Sequence, residues 1–188
     1  MGYLAMVMIV MGLIGEVIGC FPHIVNSTIK ISAYVGPSKA ERVASLQMVD
    51  ENYQMISFQP PPVSGKYLES QRFRVHHHVE TYRTGLDEHL QLWQFLEKDG
   101  VRVMYCLHGL GTKEGDLVTT APCLANHPAQ FFSISCDYCN DDRRPSQNCT
   151  LAPKAPGNLC LSFDETRFAS FARWEKCNGN QMLRITRF

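Results

Sequence analysis

Cysteine is absent from residues 21 to 105 of this 188-residue chain, yet seven cysteines fall between 106 and 177. The first half must therefore hold itself together by burial, whereas the second is stapled. The full set is eight: Cys20, Cys106, Cys123, Cys136, Cys139, Cys149, Cys160 and Cys177. An even set is expected to form four bridges, and sequence alone does not choose the pairing. Cys136-Asp137-Tyr138-Cys139 is a C-x-x-C, but no second such pair and no βαβ pattern accompanies it. Structural disulfides are therefore expected there rather than thiol exchange.

The N-terminal run MGYLAMVMIVMGLIGEVIGC is apolar apart from Glu16, and too short and interrupted for a membrane span. Val17 and Gly19 suit cleavage ahead of Cys20, so residues 1–19 are expected to be a secretory signal peptide. That leaves 20–188 as a single secreted β-rich domain with no span in the mature chain and a cysteine-rich part from 106 to 177. The leader lacks the usual Lys or Arg, and VIGC also resembles a bacterial lipobox. A retained anchor or a lipidated Cys20 therefore stay open. Cleavage after Cys20 would leave seven cysteines and one unpaired thiol. Two sequons, Asn26-Ser27-Thr28 and Asn148-Cys149-Thr150, agree with a secreted glycoprotein, although early pairing of Cys149 would limit glycan transfer to Asn148. Basic and acidic residues balance at 18 each, and the basic ones are scattered. Nucleic acid is excluded as a partner on that ground.

Hydrophobic spacing predicts a mostly β fold. KISAYV (30–35), YQMISFQ (53–59), AQFFSISC (129–136), LCLSF (159–163) and MLRITRF (182–188) are strand candidates. QRFRVHHHVETY (71–82) is the clearest, with Phe73, Val75, His77 and Val79 on one face and Arg74, His76, His78 and Glu80 on the other. HLQLWQFLE (89–97) fits either a helix through Leu86, Leu90, Trp93 and Leu96 or a strand. The Lys98-Asp99-Gly100 turn signal before VRVMYCLHG (101–109) favours a β-hairpin. One short helix is expected from residue 38, where Ser38 and Glu41 form a capping-box pattern and Ala40, Val43, Leu46 and Val49 recur every three residues. DDRRPSQN (141–148) and APKAPGN (152–158) read as loops.

Three consecutive histidines raise the question of a metal site. On a strand only His76 and His78 share a face, about 7 Å apart, and a third ligand must come from Glu80, His89 or His108. The favoured reading is a plain polar strand face, ahead of pH sensing and ahead of metal binding. Asp141 and Asp142 are candidate calcium ligands, calcium being the one cofactor left open. No G-x-S-x-G, P-loop, G-x-G-x-x-G or H-E-x-x-H occurs, so no catalytic residues are assigned and the chain is not expected to be an enzyme.

Tyr67, Gln71-Arg72-Phe73-Arg74-Val75, the run Leu90 to Leu96, Lys98-Asp99-Gly100-Val101, Tyr105 and Cys106 together resemble the ependymin-related family, with Cys123 and Pro128 matching loosely beyond. The resemblance covers about one third of the chain. The family's aspartate-proline segment has no counterpart here, and the cysteines from 136 to 177 do not follow its pattern. It implies curved antiparallel sheets of the lipoprotein-carrier (LolA-like) type around an apolar pocket, calcium-linked behaviour, and an extracellular or lysosomal location. A lipocalin-like half-barrel or sandwich would serve the same end, but neither tryptophan stands in an early G-x-W.

Two functions follow. In the first, a curved β-sheet holds a hydrophobic small molecule such as a lipid, with Phe73, Val75, Val79, Leu92, Trp93, Phe95, Val103 and Tyr105 as pocket residues. In the second, a disulfide-stapled module binds an extracellular protein (a receptor, host factor or matrix component) through loops carrying Arg143 and Arg144. The first is preferred.

Overall fold

The computed structural model describes residues 20, 22, 24 and 26–188, except 36–38, 49–53, 83–84, 99, 110–112, 126, 141–143, 155–156, 165–169 and 179–181. At 35, 48, 78–82, 85–88, 98 and 170 the description covers the backbone alone. The expected leader, Ser38, Asp141, Asp142 and Arg143 lie outside the described residues, as does the side chain of Val79.

The chain is mostly β, and its strands form a curved antiparallel sheet. The first half supplies β1 (Thr28–Val35), β2 (Ala40–Met48), β3 (Gln54–Gln59), β4 (Phe73–Tyr82), β5 (Gly85–Lys98) and β6 (Val101–His108). The second supplies β7 (Thr119–Pro122), β8 (Phe132–Tyr138), β9 (Ser146–Pro153), β10 (Leu159–Ser162), β11 (Ser170–Phe171), β12 (Arg173–Lys176) and β13 (Leu183–Arg187). Helix is confined, among the described residues, to the single 3₁₀ turns Glu69–Gln71 and Pro128–Gln130.

Strands β3, β2, β1, β13, β9, β8, β5, β6 and β7 follow one another across the sheet, with β11 beside β3 and β4 bridging β1 to β5. Met55 of β3 pairs with Thr119 of β7, so the sheet curls until its two ends meet. Strands β10 and β12 make a separate ribbon, tied by the Cys160–Cys177 disulfide. Its Leu159, Leu161 and Trp174 join the main core, where Trp174 stacks on Phe132 with ring centroids 5.9 Å apart.

The alternating segments fold as their spacing predicts. Gly100 turns the β5–β6 hairpin at φ 75°, a conformation that disfavours a side chain, and the strands pair from Trp93–Cys106 to Lys98–Val101. The helical alternative for 89–97 is thereby excluded. The short helix expected from residue 38 is not formed either: residues 40–48 are strand β2. Ala44 and Leu46 face the core, while the Glu69–Gln71 turn packs over the other side, where Ser45 Oγ donates to Ser70 Oγ at 3.2 Å. A strand covered on both faces loses its alternation, and the run Val43–Leu46 is buried throughout. The loop expected over 141–148 also ends early, because Ser146, Gln147 and Asn148 already belong to β9. Asn148 adopts φ 51° where the β9–β13 register slips by a residue, a bulge that Asn tolerates better than most side chains.

All eight cysteines pair, as Cys20–Cys139, Cys106–Cys123, Cys136–Cys149 and Cys160–Cys177. The two cysteines of the C-x-x-C do not bond to each other. Cys136 faces Cys149 directly across β8 and β9, while Cys139 reaches back to Cys20.

Backbones approach closely where β6 runs out against the β8–β9 pair. Gly109 N donates to Ala129 O at 2.7 Å, and a Cβ there would sit 2.8 Å from Pro153 Cβ and 3.3 Å from Phe132 Cε1. Gly109→Ala is expected to lower the unfolding free energy by about 1–3 kcal/mol, since the neighbours are backbone-anchored or fully buried. Urea unfolding followed by circular dichroism measures it.

Candidate functional site

The pleat of β5 separates two environments. Leu90, Leu92 and Gln94 are buried on the inner face, while Gln91, Trp93 and Phe95 lie on the outer one. Register carries the division into both neighbours. Arg74 and His76 of β4 lie opposite Trp93 and Gln91, and Met104 and Cys106 of β6 lie opposite Phe95 and Trp93. Phe73 and Val75 of β4 point inward with Leu92.

The seven pocket candidates whose side chains are described therefore do not share one surface. Phe73, Val75 and Leu92 are core residues, at 2%, 3% and 0% exposure. Val103 and Tyr105 lie on the inner side by register with Leu96 and Gln94, and both are half-buried. Trp93 and Phe95 stand on the outer face. The inner space bounded by Leu46, Phe73, Leu92, Tyr105 and Leu107, which Trp93 also borders, is too tight for a water molecule.

Room for a ligand exists on the outer face instead. An open groove of about 440 Å³ runs between the β4–β6 surface and the chain after β7, walled by His76, Gln91, Trp93, Met104, Cys123 and Leu124. Met104 and Leu124 are 44% and 52% exposed, so apolar surface faces solvent there. The wall formed by residues 122–125 and 127–131 is fixed in place. The Cys106–Cys123 disulfide anchors one end, and Cys123 N donates to Met104 O at 3.0 Å. Gln130, 1% exposed, receives hydrogen bonds from Leu124 N and Gln91 Nε2 at 2.9 and 3.1 Å and donates to Pro122 O at 2.9 Å. Phe131 stacks on His89 at 4.7 Å. Sequence reasoning missed this wall because a buried glutamine has no pattern to announce it.

Cations line the rim. The Arg74 guanidinium lies 5.2 Å from the Trp93 ring and 5.0 Å from that of Phe95, and Arg102 lies 4.5 Å from Phe95 on its other side. Trp93 and Phe95 pack edge to face at 5.0 Å.

Among the described residues no three His, Cys, Asp or Glu side chains converge as a metal site. His77 lies on the inner side by register with Leu90, while His76 is exposed at the groove. The calcium candidates Asp141 and Asp142 and the protein-contact candidate Arg143 fall outside the described residues, and Arg144 is exposed. Both sequon asparagines sit at positive φ, Asn26 exposed in a turn and Asn148 bonded through Nδ2 to Asp137 Oδ2 at 3.1 Å.

His108 and His127 meet behind the wall, with ring centroids 6.2 Å apart. His127 Nδ1 accepts from Ala129 N at 3.3 Å, which requires that nitrogen to be unprotonated. Burial first, and the His127 imidazole second, hold the His108 pKa below its ordinary 6.5. The folded chain thus resists a proton that the unfolded chain accepts, so stability is complete above about pH 6.5 and falls as pH drops through the lowered value. Denaturant midpoints measured between about pH 7.5 and 5 are expected to show this fall, and His108→Gln to flatten it.

No protein-family model matches the chain, and no curated protein matches it significantly. The ependymin-related resemblance accordingly rests on its own motifs, from Tyr67 to Cys106.

Proposed function

We propose that this is a secreted, non-catalytic binding protein that takes a small hydrophobic ligand, lipid-like in character, in the outer groove over Trp93. The observation that carries the reading is the groove itself: about 440 Å³ of apolar-walled space, where the inner space beside Leu92 has no room for water. That volume falls in the range of small-molecule sites, which are concave, mostly apolar and equipped with a few fixed polar groups. Gln91 and His76 are those groups here. The wall is held by a disulfide and a buried amide network, so little ordering entropy opposes binding. Four disulfides fit an extracellular or luminal compartment, and no helix among the described residues is long and apolar enough to cross a membrane.

Protein purified from culture medium without detergent is expected to release organic-extractable mass. Leu124→Asp, at an exposed position, is expected to weaken binding of an apolar probe at least tenfold with the unfolding midpoint unchanged. If Leu124→Asp leaves probe binding intact while Arg144→Glu abolishes capture of a protein partner, the extracellular protein-binding module replaces this reading.

The secretory reading has its own test. Asn26 is exposed, whereas Asn148 precedes a fully buried, bridged cysteine and is itself tied to Asp137. Endoglycosidase digestion and peptide mapping of the secreted chain are expected to find a glycan on Asn26 and little on Asn148.

A further inference from the structure

We infer that the groove selects a single-chain anionic amphiphile, its apolar chain lying along Trp93, Met104 and Leu124 and its anionic head held by Arg74. The inference rests on the proposed function and adds the charge of the ligand. Among the described residues no carboxylate lines the groove, and the titratable side chain on its lining is His76. The Arg74 guanidinium lies beside that lining, 5.2 Å from the Trp93 ring.

Arg74 is only partly committed within the protein. Among the described residues its one hydrogen bond goes from Nη2 to Glu69 Oε1 at 3.3 Å, in a pair whose side chains are 40% and 47% exposed. Such a pair is weak, and a guanidinium has five N–H donors, so most of the fork is available to a second oxyanion. The position of the fork is fixed all the same, because it rests against both Trp93 and Phe95. Arg102 adds a second cation at the Phe95 end, with Glu97 opposite it in register and no ion pair between them within 4 Å. A fork held beside an apolar wall matches a carboxylate or phosphate attached to an alkyl chain, with charge-assisted hydrogen bonds to the head and dispersion to the tail.

The test uses four probes of one chain length below their micellar concentrations: dodecanoate, dodecyl phosphate, dodecanol and dodecyltrimethylammonium. Binding to the intact secreted protein is read from Trp93 emission, since the only other tryptophan, Trp174, is fully buried. At least one of the two anions is expected to bind about tenfold or more tightly than dodecanol, and the cation more weakly than dodecanol. The tighter anion tells a carboxylate source from a phosphate one. Arg74→Gln is expected to bring the anions down to the alcohol's affinity while dodecanol binding stays unchanged, which also shows that the variant is folded. Arg74→Lys is expected to keep part of the preference, and added salt to erode it. Equal binding of anions and alcohol, or preference for the cation, overturns the inference and leaves the proposed function standing. Failure of all four to bind overturns both.

Discussion

A pleated strand sends successive side chains to opposite faces, and in β5 that geometry sets the character of the whole molecule. Leu90, Leu92 and Gln94 are committed to the core by the same backbone that presents Gln91, Trp93 and Phe95 outward. Because register is shared with β4 and β6, the division propagates without further instruction: Val75 must follow Leu92 inward, and Met104 must follow Phe95 outward. A slip of one residue in β5 would put Trp93 in the core and Leu92 in water. The core therefore protects the register, and the register builds the groove.

Burial and cross-linking divide the remaining labour by position. The cysteine-free strands β1 to β5 contribute a continuous inner face of Ile29, Ile31, Leu46, Ile56, Phe58, Phe73 and Leu92. Several later strands are short, with only four residues each in β7, β10 and β12, and bridges of short sequence span compensate. Cys106–Cys123 and Cys160–Cys177 close spans of 17 residues and Cys136–Cys149 a span of 13, lengths at which loop-closure entropy amounts to roughly 3 kcal/mol each. Cys20–Cys139 differs in kind: it spans 119 residues and fastens the segment before β1 to the end of β8. The Cys106–Cys123 bridge also has a role beyond stability, since it places Leu124 over the sheet at the distance that leaves a groove.

Where one face of a strand meets water, its sequence was legible. Strand β4 and the β5–β6 hairpin follow from alternation and from Lys98-Asp99-Gly100 because solvent lies on their outer side. Strand β2 misled for the opposite reason, its run Val43–Leu46 being buried against the core on one side and the Glu69–Gln71 turn on the other. Strand β9 was hidden by polar residues at its start: Ser146 is buried and Asn148 occupies a bulge, and neither is a strand former by composition. The aromatic members of the candidate site, Trp93 and Phe95, were visible as bulky residues, but pooling them with Phe73 and Leu92 ignored the parity that separates them. The other wall depends on Gln130, whose three hydrogen bonds exist only once β5 and β7 have come together. A long-range polar network of that kind has no local signature.

The same parity disposes of the three histidines as a unit. Adjacent imidazoles on a strand diverge, and His77 goes to the inner side by register with Leu90 while His76 borders the groove. Assembling a metal site would require ligands brought from neighbouring strands, yet those histidines are differently employed. His89 is buried and stacked on Phe131, and His108 lies against His127, whose Nδ1 is occupied by a backbone N–H. These stacked and bonded rings hold residues 127–131 against β5 and β6 as side chains of middling polarity. They fill the seam between wall and sheet, where an aliphatic residue would leave the backbone N–H of Ala129 without its acceptor and a charged one would be costly to bury. At that seam burial, and then the His127 imidazole, hold the His108 pKa below its ordinary value.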